Sequence, residues 1–458
     1  MVVLPLRPSC GKISQYFQGA ILSARSFRFI CLLGVATSLC AASVSAETLP
    51  QAVGAALNTH PTLEQAMAVQ QSARESVTEE KSAYYPKLSA STAVGRVYGD
   101  NATSRGLSVD RGSGYSWLWE GSLGVNQMIF DGFRTERLVG AAKARQDGAV
   151  ASLQDVRETL ALQTALSYLN VLRARDSLSS VQGYLSILDD YRNRISAMVD
   201  EGAADDAELQ QANEIRLEVE NLIASFSGQL RIAEAEYARL TGHLPDETLV
   251  RPLDIVTSLP ATAGEAVSLA WTQHPQVQRS NQDIIASGFS ADAEKSSLYP
   301  TVTGELSAYA KDVDDLIGGE VKDHRALVRA SWEISTGGAE LARIRRAKQD
   351  YISSKAKKSD VLRGLEAAIR TAYADLTSNA DQKRILTERL NANEKLKQTY
   401  NVQFEGAKVR ILQLLQVENQ VLNAKLDLMN ADYRHLAAQY SVLGSMGRLQ
   451  SQLNNGQQ

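Results

Sequence analysis

The sequence predicts an α+β membrane protein built as an internal duplication, each copy running helix, β-hairpin, very long helix and heptad helix. Three observations carry that reading. Ala52, Val53, Ala56, His60, Pro61, Glu80, Lys81, Ser82, Tyr85 and Pro86 return 214 residues later as Ala266, Val267, Ala270, His274, Pro275, Glu294, Lys295, Ser296, Tyr299 and Pro300. The spacing then drops to 205, since Gly132, Ala142, Lys143, Leu160 and Tyr168 match Gly337, Ala347, Lys348, Leu365 and Tyr373, so the second copy has lost 9 residues in a surface loop. Stretches of period-two alternation follow each Tyr-Pro pair, and proline-free runs of some 65 residues follow those. The expected boundaries are 1–46 for a signal peptide, 47–262 for the first repeat and 263–458 for the second.

The leader is read from charge and hydropathy. Its basic residues are Arg7, Lys12, Arg25 and Arg28, it has no acidic ones, and an apolar run from Phe29 to Ala42 leads into Val44-Ser45-Ala46. That pattern marks a secretory signal cleaved ahead of Glu47; the apolar run is short for a spanning helix. Cys10, Cys31 and Cys40 all lie in it, which excludes disulfides and thiol chemistry downstream. Leu39 before Cys40 argues against lipid attachment. Without the leader, 44 basic residues face 52 acidic ones, a net charge of -8 that offers nothing to nucleic acid.

The first helices are expected over 49–83 and 263–297. Tyr85-Pro86 and Tyr299-Pro300 end them, because proline lacks an N–H and pushes its predecessor to extended geometry. Strands follow at about 87–98 and 115–130, then at 301–310 and through Arg325–Ile334. In the second of these, Trp117, Trp119, Leu123, Val125 and Ile129 fall opposite Glu120, Ser122, Gly124 and Asn126. In the fourth, Ala326, Val328, Ala330, Trp332 and Ile334 fall opposite Arg325, Arg329, Ser331 and Glu333. About ten residues cross a bilayer as a tilted strand, and aromatics such as Tyr85, Tyr98, Tyr115, Phe130, Phe133, Tyr299 and Tyr309 crowd the strand ends as interfacial girdles do. The polar loops 100–114 and 311–323 should tolerate insertion.

The helices from Arg134 to about Glu201 and Ala339 to about Glu405 would each reach about 100 Å. Val219, Ile223, Phe226, Leu230, Ala233, Tyr237 and Leu240 then step by fours and threes, as do Leu422, Leu426, Met429, Tyr433, Leu436, Tyr440 and Leu443; these are coiled-coil seams. A second row, Leu162, Leu166 and Leu169 beside Leu153, Val156 and Leu160, suits a helix with neighbours on both sides, as in a closed helical barrel. Four strands cannot close a membrane barrel, and open edges in hydrocarbon cost several kcal/mol per unsatisfied group. Three protomers would supply twelve strands.

The chain resembles the TolC family of outer-membrane channel-tunnels over its whole length after the leader. The marks are the duplication, the Tyr-Pro junctions and the strand exit Gln127-Met128-Ile129-Phe130-Asp131-Gly132-Phe133-Arg134. To these add Glu333-Ile334-Ser335-Thr336-Gly337-Gly338 and the turn Gln403-Phe404-Glu405-Gly406 leading to Ile411-Leu412-Gln413-Leu414-Leu415-Gln416. The resemblance implies a homotrimer with a twelve-stranded barrel in the outer-membrane lipid of a Gram-negative bacterium. The barrel would continue as a periplasmic helical tunnel, working with an inner-membrane transporter and a periplasmic adaptor. The second hairpin and the strand exit look most like members serving type I protein secretion, including adhesin export, with an ABC transporter. The alternative is a multidrug efflux factor served by a proton-driven pump. A periplasmic coiled-coil structural or adaptor protein is the reading of another class, and the Trp-bearing strands oppose it.

No catalytic constellation competes, and no cofactor is implied. His60, His243, His274, His324 and His435 lie far apart and suggest no metal site, and carboxylates on the long helices read as solvated surface. In the family the tunnel is closed where the hairpin turns meet. Here the first turn is acidic (Asp200, Glu201, Asp205, Asp206, Glu208) and the second basic (Lys408, Arg410), an expected gate. Where relatives often carry two aspartates, this chain has Gln413 and Gln416, so cation selectivity should be weak. Gly202 and Gly406 mark the turns expected to dock the adaptor. Pro86, Pro300, Gly132 and Gly337 mark the helix–strand junctions.

Overall fold

Prolines and glycines set most of the element boundaries. The computed structural model describes residues 46–99, 114–314, 319–334, 336–405 and 409–455; the leader and its cleavage, most of loop 100–114, Gly406 and Lys408 lie outside them. Helix α1 (Leu49–Thr59) gives way to α2 (Pro61–Lys81) at His60, whose backbone is extended at φ -74 and ψ 126 and whose Nδ1 accepts the Thr62 N–H at 3.2 Å. The second copy repeats this with α5 (Ala263–Gln273) and α6 (Pro275–Glu294) around His274, whose Nδ1 accepts from Gln276 N at 3.1 Å. The expectation of unbroken helices over 49–83 and 263–297 is therefore corrected. Proline's missing N–H is no loss at a first helical position, so each His-Pro pair ends one helix and caps the next.

His274 is buried, and burial depresses its pKa against an opposing pull from Asp155. A histidine held neutral when folded contributes stability above its unfolded pKa of about 6.5, and that contribution is lost as pH falls toward the depressed value. His274→Asn keeps a capping acceptor and cannot titrate. Thermal melts in detergent between about pH 7.5 and 5 should show the wild type losing stability and the variant losing less; parallel curves would assign the dependence elsewhere.

Strands β1 (Lys87–Gly99), β2 (Gly114–Phe130), β3 (Thr301–Val313) and β4 (Val321–Ser331) form one antiparallel sheet in the order β1-β2-β3-β4. The register sets Val94 against Trp119, Val125 against Leu306 and Gly304 against Val328. One face is therefore apolar, and Leu88, Val94, Trp117, Trp119, Leu123, Leu306 and Val328 are all exposed on it. The other face is polar. Ser91 and Ser122 share a hydrogen bond of 2.8 Å, Tyr309 donates to Glu120 at 3.2 Å, and Arg329 holds Glu305 at 2.9 and 3.0 Å. A sheet with an exposed apolar face and two free edges is a segment of a membrane barrel, its apolar face toward lipid.

Two details differ from the alternation. The register slips between Met128 and Phe130, leaving Ile129 as the extra residue of a bulge. β4 ends at Ser331, so Trp332 and Ile334 lie outside it. Its in-chain partner β3 begins at Thr301 because Pro300 has no N–H to give, and among the described residues nothing pairs with β4 beyond that point. Likewise β3 runs to Val313 and β4 starts at Val321, which shortens the expected 311–323 loop.

The long helices α3 (Arg134–Asp200) and α7 (Ala339–Glu405) have 67 residues each, followed by α4 (Asp206–Thr241), α8 (Ile411–Ser445) and a terminal α9 (Leu449–Asn455). Both heptad seams face inward: Val219, Ala233, Tyr237 and Leu240 are buried, as are Leu422, Leu426, Tyr433, Leu436, Tyr440 and Leu443. Tyr168, Tyr237, Tyr433 and Leu436 centre one core, and Val181, Ile195, Val219, Ile411 and Leu422 centre a second toward the hairpin ends.

Candidate functional site: the strand exits and the helical tip

The strand exit is built by left-handed backbone. Gly132 (φ +67) and Phe133 (φ +66) turn β2 into α3, and Asp131 Oδ2 accepts both the Thr135 N–H (2.7 Å) and its hydroxyl (2.5 Å), capping the helix. A Cβ on Gly132 would lie 2.8 Å from the Ser296 carbonyl oxygen and 3.0 Å from Tyr299 Cβ, so the exit of the first copy is seated on the Tyr299-Pro300 junction of the second. Gly337 (φ +68) repeats the turn, and apart from its chain neighbours no heavy atom of the described residues lies within 4 Å of its would-be Cβ. Pro86 and Pro300 each stand directly before a strand.

At the other end, α3 closes on Gly202 (φ +73), whose N–H reaches Val199 O at 3.0 Å while Ala203 N–H reaches Met198 O at 2.7 Å. Asp205 stands at the N-cap of α4, and Asp206 and Glu208 lie in its first turn, at the positive end of the helix dipole. Across the tip, α8 starts after Arg410, whose backbone N–H donates to Gln413 Oε1 at 3.4 Å. Gln413 and Gln416 share an exposed face while Leu414 and Leu415 point inward. The structure brings Arg410 Nη1 to 3.7 Å from Glu208 Oε1, and gives Asp205 and Asp206 no ion pair among the described residues.

Sequence reasoning misses the group behind this tip. Glu418 is 3 % exposed, its Oε1 accepting from Lys397 Nζ at 2.8 Å and from the Tyr191 hydroxyl at 3.2 Å, so one carboxylate joins α3, α7 and α8. Burial and the nearby Glu418 charge push the Tyr191 pKa up to about 12, and the buried Tyr184 hydroxyl has no partner among the described residues. Its position in the apolar stripe Leu414, Leu415, Val417 and Leu422 is the signal that could have found it. Reading helix carboxylates as solvated surface is thus corrected for Glu418. It is corrected also for Glu158, which accepts from Leu449 N at 2.9 Å and Gln450 N at 3.3 Å; off the helices, buried Glu47 accepts from the Tyr237 hydroxyl. Burial raises the Glu158 pKa against those two backbone bonds. Midway along the rods, burial acts to raise the Asp432 pKa, but Arg251 and Lys383 hold it below the usual range, tying α7, α8 and the 242–262 connection. No group of His, Cys, Asp and Glu suited to a metal ion occurs among the described residues.

Comparison with known proteins accords with this geometry. The model of the family described as outer membrane efflux protein matches residues 52–243 and 266–448, one segment in each repeat. The outer membrane efflux protein BepC of Brucella suis biovar 1 is 23 % identical over 418 residues, covering 90 % of this chain and 88 % of that protein. The outer membrane protein TolC of Escherichia coli K12 is 22 % identical over 463 residues, covering 93 % and 88 %. The Campylobacter jejuni CmeC outer membrane channel superposes with a TM-score of 0.76 at 15 % identity, covering 89 % of this chain and 88 % of that one.

Proposed function

Since the chain belongs to the outer membrane efflux protein family, an outer-membrane channel with a large periplasmic helical portion, we propose that it is the exit duct of a type I protein-secretion apparatus. In this reading it works with an inner-membrane ABC transporter and a periplasmic adaptor. The observation that supports it is the amide pair on the exposed face of α8 at the tip, Gln413 and Gln416. The polar face of the strands carries hydroxyls, Glu120 and the ion pairs Glu305–Arg329 and Asp323–Arg325, so it presents both signs. A polypeptide bearing both signs meets no ring of carboxylates at Gln413 and Gln416, whereas an acidic ring would retain cations. The word efflux in the name of the Brucella relative favours a second reading, for which we take small molecules as the cargo and a proton-driven pump as the partner. Deleting the gene separates them. Loss of a large protein from the medium or cell surface with unchanged drug sensitivity supports secretion; the reverse supports efflux.

The tip is the gate of this duct. Arg410 on the second turn, facing Glu208 on the first, holds it closed; Lys408 and Gly406, which lie outside the described residues, keep their roles from the sequence as further basic charge and, with Gly202, as the adaptor-docking turns. Exposed ion pairs contribute about 0–1 kcal/mol each, so three per trimer suit a gate that a partner must open. Arg410→Glu should raise single-channel conductance in planar bilayers; unchanged conductance would remove Arg410 from the gate.

A further inference from the structure

The duplication supplies a template for a contact the single chain does not contain. Helix α3 lies between α2 on one flank and α6 on the other, whereas α7 has α6 on one flank only. The consequence shows in burial: Val139, Ala141, Ala142, Ala144, Gly148 and Ala151 of α3 are buried, and their counterparts in α7 (residues 344, 346, 347, 349, 353 and 356) are not. In a ring of subunits the empty flank of α7 receives α2 of the next subunit. Which residues meet there follows from the α3–α6 contact, by adding 205 on the long helix and subtracting 214 on the short one.

Inside the chain that contact has three marked points. The Phe289 ring sits on Gly140, with ring carbons 3.1 Å from a would-be Cβ. Arg145 Nη2 donates to Ser290 Oγ at 3.1 Å, and Gln276 Nε2 donates to Asp155 Oδ2 at 3.1 Å. Transposed, these become Glu75 on Arg345, Ser76 with Asp350, and Thr62 with Asp360. All six residues are exposed in the single chain. The two hydrogen-bonding points keep a donor facing an acceptor, since each hydroxyl can donate to an aspartate. The third replaces an aromatic knob in a glycine notch with a carboxylate facing a guanidinium. Both faces carry both signs, α2 exposing Glu64, Arg74, Glu79 and Lys81 and α7 exposing Arg346, Lys348, Asp350 and Asp360, so the pairing of Glu75 with Arg345 is set by register and not by the overall charge of either helix.

We propose that the joint between subunits is an electrostatic one, in which Glu75 of one subunit pairs with Arg345 of the next, flanked by Ser76–Asp350 and Thr62–Asp360. The two copies have diverged at the point where identical contacts would let α2 and α6 compete for the same groove. A knob that fits only the α3 notch and a charge that fits only α7 fix which helix goes where, the logic of building a mismatch against the wrong partner. The inference rests on the trimeric channel and not on the cargo it carries.

Because residues 47–458 contain no cysteine, Glu75→Cys with Arg345→Cys in one chain places the only thiols of that stretch at the joint, and the unsubstituted chain run alongside controls for the leader cysteines. Oxidation in outer membranes should give a ladder of covalent dimers and trimers on a non-reducing gel. Gly140→Cys with Phe289→Cys, the same contact within one chain, should cross-link without a gain in mass. A control that closes beside a double variant that yields no ladder overturns the proposal. Charge reversal tests the chemistry: Glu75→Arg or Arg345→Glu alone should lower the temperature at which the trimer dissociates by a few degrees, and the two together should restore it. No recovery in the double reversal overturns the ion pair.

Discussion

Glu418→Ala is expected to destabilise the tip by about 2–4 kcal/mol and to raise the open fraction of the channel. The carboxylate is the shared acceptor of Lys397 on α7 and Tyr191 on α3 while itself belonging to α8, and it is almost fully buried. Removing it leaves an ammonium and a hydroxyl with no acceptor beside the already unpartnered Tyr184 hydroxyl. Breaking one side of a buried pair costs about 3–5 kcal/mol; the Lys397 side chain, 31 % exposed, can turn partly to water, which sets the lower range. Glu418→Gln keeps an acceptor for Tyr191 and should cost less. Replacing the pair together, Glu418→Leu with Lys397→Met, should recover much of the loss, since an apolar core tolerates the absence of both charges better than of one. Thermal melts read the stability and planar-bilayer recordings the opening. An alanine variant that melts as the wild type does would show that the carboxylate holds nothing together.

This cluster also marks where the sequence stops being readable. The heptad seams of α4 and α8 are legible because the partner surfaces lie in the same chain, and the apolar step from Leu422 to Leu443 turns out to be the buried face. The strand exits are legible because Gly132, Gly337, Pro86 and Pro300 impose backbone geometry that needs no context. Glu418 is not: whether a carboxylate in an apolar stripe is solvated depends on Tyr191, 227 residues away, and on the height at which α7 passes it. The His-Pro pairs mislead for a different reason, since proline is as suited to opening a helix as to ending one. The end of β4 misleads because alternation alone does not say where the partner strand stops: β3 begins at Thr301, opposite Ser331, so the pattern through Ile334 outruns its in-chain partner. At the tip the residue types are legible but their pairing is not: of Asp205, Asp206 and Glu208, the described residues place only Glu208 within reach of Arg410, at 3.7 Å.

Gly132→Val should abolish accumulation of heat-stable trimer in the outer membrane. At φ +67 a β-branched residue is strained by more than the roughly 1–2 kcal/mol that left-handed backbone costs an ordinary side chain. The new Cβ would also fall 2.8 Å from the Ser296 carbonyl oxygen, a backbone atom of the turn that Pro300 ends, so no flexible side chain can yield to it. Together these exceed about 4 kcal/mol, the range of exceptional single substitutions. The position compounds the damage. Phe130 and Phe133 stack edge to face at 5.5 Å across the turn, and Asp131 caps α3 from it, so a shifted Gly132 disturbs both the strand end and the helix start. Gly337→Val is the informative partner, because Gly337 also has a positive φ but, its chain neighbours aside, no atom of the described residues lies within 4 Å of its would-be Cβ. If the subunit joint follows the template of the duplication, Ser82 of the partner subunit stands where Ser296 stands for Gly132, and the two valines should impair the trimer alike. Equal trimer yields for Gly132→Val and wild type, by heat-resistant migration of outer-membrane extracts, would show that the exit turn adapts and that the close approach to Ser296 is not needed.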